Sequence, residues 1–279
     1  DDAYELPEDV PFSFNSFFDS KTGYGTKSVF ALPLLTLGNN LVGVMELINS
    51  MDEQERPVNF TPQIKQFVSR FAGYAAAAIE RAKWNQELIL RMIRMAELRD
   101  PGETAALVQR VSAISAEIYK QWAKNKNIDP FEANPFCDLL RPSAMLHDVG
   151  KIGIPDEILK KPGKLSNDEF ELIKLHTIYG SNLFESTTSD LDSMCREITL
   201  NHHERWDGTG YPGHYSGCIV LYDKNKKPKK GEDIPLSARV VAIADVFDAL
   251  ANKRVYKRAW TMDEIYELFK EESGKHFDP

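Results

Sequence analysis

Between Thr61 and about Leu98 the chain carries no proline after Pro62 and a single glycine, Gly73. Thr61-Pro62 opens this stretch with a capping residue and a first-turn proline. Phe67, Phe71, Tyr74, Ala78, Leu88, Met92 and Met95 follow at spacings of three and four, or sums of them. The pattern predicts one helix over 61–98, too long for a single small domain, so the chain divides into a part before it and a part after it. That helix is expected to connect the two parts, to carry a signal between them and to dimerise, since Ala75–Ala78 lets a partner approach closely. Asp100-Pro101-Gly102 then breaks it.

The first sixty residues read as strands and turns. Ser28–Leu37 is rich in β-branched and apolar residues, Gly38-Asn39-Asn40 signals a turn, and Leu41–Ile48 resumes the apolar run, which predicts an antiparallel hairpin. Beyond the break the chain reads as mostly helical, with one long loop over Gly213–Asp233.

Composition excludes several classes. The 279 residues hold 34 Lys+Arg against 42 Asp+Glu, a net charge of −8, which argues against a general nucleic-acid coat but not against a small anionic ligand met by a local basic patch. With 42% apolar and 27% charged residues the chain is ordinary for a globular protein. No apolar run is long enough for a membrane span; the best, Val29–Leu37, contains Pro33 and Thr36. Cys137, Cys195 and Cys218 form no CxxC pair, so neither a cysteine zinc module nor a disulfide framework is expected, and a reducing cytoplasm fits. No signal-peptide pattern opens the chain, and its start at Asp1 and stop at Pro279 read as a stretch of something longer.

Histidine placement is the chemical clue. His147-Asp148 follows the apolar segment Leu139–Leu146, and His202-His203-Glu204 follows Met194–Leu200. Neighbours on a helix point about 100° apart, so an adjacent pair is suited to serving two metals rather than chelating one. His176 lies on its own amphipathic segment, Asn167–Phe184, and Asp245 interrupts the apolar segment Val240–Leu250. An ionised aspartate there is costly to bury unpaired, so it faces either a cation or water. Taken singly, each residue is more often an ordinary core or surface group. Their joint occurrence points to a metal site of imidazole and carboxylate, the ligands that iron, manganese and zinc share.

Two blocks carry a resemblance. His147-Asp148-Val149-Gly150-Lys151-Ile152-Gly153-Ile154-Pro155-Asp156 and His202-His203-Glu204-Arg205-Trp206-Asp207-Gly208-Thr209-Gly210-Tyr211-Pro212 closely resemble the HD-GYP family, bacterial cyclic di-GMP phosphodiesterases within the HD-domain metal-dependent phosphohydrolases. The likeness runs from about Leu98 to the end and includes Ile234–Arg239 and Ala244–Leu250. Phe18-Asp19, Thr22-Gly23-Tyr24 and the hairpin end Glu46-Leu47-Ile48-Asn49 resemble the second half of a GAF sensory domain. The implied fold class is an α+β GAF-like fragment with an antiparallel sheet over 1–60, the connecting helix over 61–98, and an all-α HD-GYP domain over 99–279.

The resemblance implies two divalent transition metals, iron or manganese foremost, with a third in some members. His147, Asp148 and Asp245 match the ligands of one ion; His176, His202 and His203 match those of its neighbour, with Asp148 bridging. Glu103 matches a ligand of the third ion, although Leu107 stands where the family places a histidine. Asp148 and Lys151 are the candidate catalytic residues, and Lys151, Asp248, Arg254 and Lys257 the candidate substrate-binding ones. Two cations holding a bridging hydroxide and clamping a phosphate oxygen suit phosphodiester hydrolysis. The implied substrate is cyclic di-GMP or cyclic GMP-AMP, cut to the linear dinucleotide and on to GMP. The loop Trp206, Asp207, Gly208, Thr209, Gly210, Tyr211 and Pro212 matches one that docks diguanylate cyclases in some relatives. Trp206 and Tyr211 serve either as packing residues or as a guanine stack. Lys224–Lys230 has five lysines in seven positions and reads as a solvated flap, with a lid as the alternative. The rival to catalysis is a weak or inactive cyclic-dinucleotide receptor, marked by Leu107.

Overall fold

The computed structural model describes residues 3–4, 6, 10, 13–99, 104–185, 189–214, 227–252 and 258–279. Its contacts separate two compact units, Asp1–Glu87 and Leu88–Pro279. The first holds α1 (Phe17–Thr22) and the antiparallel strands β1 (Val29–Leu35) and β2 (Leu41–Ile48). They pair from Val29 with Ile48 to Leu34 with Gly43, then slip at Leu35. Two short strands, β3 (Ser50–Met51) and β4 (Pro57–Val58), follow. Leu32 and Leu34 point to one face of β1 by the two-residue alternation of a strand, and pack with Ala72, Ala76 and Ile79.

Those alanines belong to α2 (Pro62–Glu97). The small side chains of Ala75 and Ala76 pack inside this unit, against the hairpin, while Ala77 and Ala78 are exposed. The predicted apolar stripe lies elsewhere on the helix: Phe67, Phe71, Tyr74, Leu88, Met92 and Met95 all stay exposed, from 41% at Met92 to 77% at Tyr74. The buried positions are Val68, Ala72, Ile89 and Ile93, each one residue on from a predicted position, and Ala76.

In the second unit, α3 (Ala105–Asn125), α4 (Pro130–Ala144), α7 (Asp190–Asn201) and α8 (Leu236–Ala251) enclose the main core. It is built on Val111, Leu140, Ile198 and Val241, all fully buried. Between α4 and α7 come a 3-10 turn (Val149–Gly153), α5 (Asp156–Leu159) and α6 (Asn167–Asn182); α9 (Met262–Glu272) comes last. Side chains cap the helices where the sequence supplies them. Asp129 accepts from the Phe131 amide ahead of α4, and Ser166 and Thr261 form capping boxes with Glu169 and Glu264. Apart from one isolated bridge, Ser273 to Phe277, the described residues of this unit form no strands.

The start of α3 is set by its cap. Thr104 is its N-cap, accepting from the Leu107 amide at 3.2 Å, so the helix opens at Ala105 and Glu103 precedes the cap. Glu103 itself lies outside the described residues. Leu107 is buried in the main core with Ile89, Ile93 and Val108, where a hydrocarbon belongs.

Candidate metal centre

The chain leaves α4 at Ala144 and turns through His147 and Asp148 into the 3-10 segment. Glycine decides how close this segment comes to α6. A Cβ on Gly150 would lie 1.9 Å from the His176 carbonyl oxygen and 2.4 Å from the Gly180 nitrogen. Its absence lets the backbones touch and brings Asp148 beside His176. From another side, Arg99 donates to the carbonyls of Ile152 and Ile154 and to the Asp156 carboxylate. His202 is the C-cap of α7, so His202 and His203 lie past the helix end, where helical spacing no longer separates them. Their rings are 4.1 Å apart, and both join one cluster. The pair does not face two ways, as a helical reading of adjacent residues would have it.

Three histidines are held alike. Nδ1 of His147, His176 and His202 reaches the carbonyls of Ala144, Ile173 and Ile198 at 2.9, 2.7 and 3.0 Å. A neutral imidazole that donates from Nδ1 keeps a lone pair on Nε2, the nitrogen suited to a metal. Nε2 of His176 and of His202 lie 3.1 and 3.4 Å from Asp148 Oδ1, and 3.5 Å from each other. His147 Nε2 is 3.4 Å from Asp148 Oδ2. Burial lowers the pKa of His202, and that of His203 well below its ordinary value, so both are neutral near pH 7. Burial alone would raise Asp148; the Lys151 ammonium at 2.7 Å and the His147 ring outweigh it and hold the carboxyl well below its usual range.

The result is a knot of acceptors. Asp148, His176, His202 and His203 each turn a ligand atom inward, all within 4.8 Å of one another. Asp148 Oδ1 is buried and has no hydrogen-bond partner among the described residues. Lone pairs facing lone pairs in a dry site repel unless a cation lies between them, so the donor set fits a divalent metal bound by nitrogen and oxygen.

The other predicted residues fall at different distances from this knot. Asp245, on α8, is 21% exposed and places Oδ1 3.9 Å from His147 Nε2, so His147 stands between it and Asp148. Asp248, on α8, pairs with Arg110 of α3. Its carboxylate is 1% exposed, takes Arg110 Nε and Nη2 at 2.6 and 3.0 Å, and also accepts from Asn252 Nδ2 at 2.9 Å. Both oxygens are engaged in joining α3 to α8. Arg110 went unnoticed in the sequence because 138 positions separate it from its partner. Arg254 and Lys257 lie outside the described residues.

The loop after His203 is closed on itself. Asp207 Oδ1 accepts from the Thr209 amide and hydroxyl at 2.9 and 2.6 Å, and Arg205 Nε donates to the Thr209 hydroxyl. A Cβ on Gly210 would meet the Arg205 nitrogen at 2.3 Å. Gly208 adopts φ +85°, and Pro212 is buried. The Arg239 guanidinium covers the Trp206 ring at 5.5 Å, and the Tyr211 ring sits 4.9 Å from that of His203.

A family model described as an HD domain matches residues 108–250, and a second of the same description matches 224–279. A cyclic di-GMP phosphodiesterase of Vibrio cholerae serotype O1 is 33% identical over 278 residues, 90% of this chain and 54% of that protein. The 3'3'-cGAMP-specific phosphodiesterase 2 of the same organism is 36% identical over 201 residues, 72% of this chain and 34% of that protein. The cyclic di-GMP phosphodiesterase response regulator RpfG of Xanthomonas campestris pv. campestris is 39% identical over 194 residues, 70% and 45% of the two chains. The chain thus spans between a third and just over half the length of these relatives. With more than half of its residues matched by the family model and its histidines and aspartate gathered on one helical scaffold, the chain belongs to the HD domain family.

Proposed function

We propose that this chain is the catalytic part of a metal-dependent phosphodiesterase that hydrolyses a cyclic dinucleotide, cyclic di-GMP or 3'3'-cGAMP, to the linear dinucleotide. The observation that carries this reading is the inward turn of Asp148, His176, His202 and His203, with the imidazoles oriented by backbone carbonyls. The relatives named for these two substrates support the substrate class. His147 and Asp245 would hold one divalent ion and His176, His202 and His203 a second, with Asp148 contributing to both. When bound, the metals supply Lewis-acid charge and an activated water at neutral pH. Lys151, already 2.7 Å from Asp148, brings its ammonium to the phosphate that enters there. Arg254 and Lys257 bind further phosphate oxygens, and iron or manganese fills the site.

Residues 1–60 form the GAF-like sensory part, α2 relays its state, and 99–279 form the HD-GYP part. The exposed stripe on α2, Phe67 through Met95, is the seam of a homodimer, which sedimentation equilibrium tests. The 206–212 loop docks a diguanylate cyclase. Among the described residues no helix is long and apolar enough to cross a membrane, and the scattered cysteines fit a reducing cytoplasm.

The deciding experiment incubates anaerobically purified protein with each cyclic dinucleotide, follows the linear product by chromatography, and measures metal per chain on the same sample. Turnover by metal-loaded chain is expected. A chain that refuses added iron and manganese sinks the reading. A loaded chain that binds the dinucleotide without cleaving it is instead a receptor, the reading that Leu107, an apolar residue in a ligand's place, favours.

A further inference from the structure

We propose that Lys229 is a positioning residue for the His202–His203 pair and the loop that follows it, an inference that rests on the metal-centre reading above. Lys229 belongs to the lysine-rich stretch expected to be solvated. Lys227 and Lys230 are exposed, as that reading requires, but Lys229 is not: its Nζ donates to Asn201 Oδ1 at 2.6 Å. Asn201 is buried, is the last residue of α7 and directly precedes His202. Its own Nδ2 donates to the Glu197 carbonyl at 2.7 Å, one turn back along α7. Lys229 thereby places a cation at the C-terminus of α7, where the helix dipole favours one. It also locks the amide that finishes the last turn. His202 hangs from the same turn through the Ile198 carbonyl.

The residues beside Lys229 extend this hold to the loop. Lys227 and Gly231 flank it and join the loop directly, through the His214 amide to the Lys227 carbonyl and the Gly231 amide to the Trp206 carbonyl, each at 3.0 Å. A Cβ on Gly208 would sit 3.2 Å from Lys230 Cβ, so the two segments lie in contact. Buried Glu204 ties the loop ends by accepting from the Gly213 amide, while its second oxygen has no hydrogen-bond partner among the described residues. Burial lowers the Lys229 pKa, and Glu204, Asp233 and Glu197 pull the other way.

Cobalt(II) tests this, because its visible bands report ligand geometry without any turnover. K229M keeps the aliphatic stem and removes the ammonium. It is expected to change the cobalt spectrum and to weaken cobalt binding about tenfold or more, the usual cost of losing a group that orients a ligand. K227M should match the native protein, and K229R should restore native behaviour. If K229M folds poorly, K229Q is compared in its place, with the same cobalt changes expected. Native cobalt spectrum and affinity in the neutral variant overturn the proposal and leave the metal reading intact. A native chain that takes up no cobalt overturns both.

Discussion

His147, His176 and His202 spend Nδ1 on a backbone carbonyl one turn earlier in the chain, which leaves Nε2 for the centre. Asp148 is the residue those nitrogens share, so Asp148→Ala should abolish metal binding and hydrolysis together, while Lys227→Ala, altering an exposed side chain, should keep both. Elemental analysis and initial rates on the two variants check this; equal losses would misplace the chemistry. Asp248 calls for a different measurement. Removing one charge from its buried pair with Arg110 should cost on the order of 1–3 kcal/mol of stability in Asp248→Asn, read by urea denaturation, with KM for the dinucleotide unchanged. A raised KM at native stability would return Asp248 to the substrate. The histidines were legible in the sequence because their type and local spacing are unusual. The Asp248 partnership was not, because its two halves are distant in the chain and each is ordinary alone.

At the scale of elements, the 3-10 turn and α6 meet through Gly150. Gly150→Ala drives a methyl into backbone and must push the turn off α6, carrying Asp148 away from His176. We expect a stability loss of about 1–3 kcal/mol together with weaker metal binding, checked by denaturation and by metal titration. The sequence showed that glycine as one letter of a motif; only the packing shows what stands against it. Helix α9 offers a test by pH. The Arg258 guanidinium, then the Thr261 amide, hold Glu264 down to about 2 from an ordinary 4.5. A depressed acid contributes stability that is fully present above its unfolded pKa and is lost as pH falls through the folded one. Protection of the first-turn amides of α9, measured against their intrinsic exchange rates, should therefore fall as pH drops from about 4.5 toward 2, and Glu264→Gln should flatten that dependence. Exchange rates resolved by residue measure it.

Over the whole molecule, metal and fold should be linked. A cation that binds the gathered acceptors of the native state, and not the dispersed ones of the unfolded chain, raises stability by mass action. Chelation is expected to lower the melting temperature of unit Leu88–Pro279, and added manganese or iron to restore it. Calorimetry with and without chelator reads this directly, and identical curves would argue that the acceptor knot binds nothing.

The sequence by itself determined the hairpin, the long helix, the helical remainder and the identity of the ligand types. Each of these depends on local periodicity or on neighbours a few residues apart. Tertiary structure alone decided which stripe of α2 is buried, since Phe71 and Ala72 are both apolar and the hairpin packs on the second. It likewise decided that Asp248 faces Arg110, that Lys229 leaves its exposed neighbours for Asn201, and that Leu107 packs in the core. The physical reason is common to all of these. Whether a charge or an apolar side chain is buried depends on what the fold brings against it, and that partner lies far away along the chain.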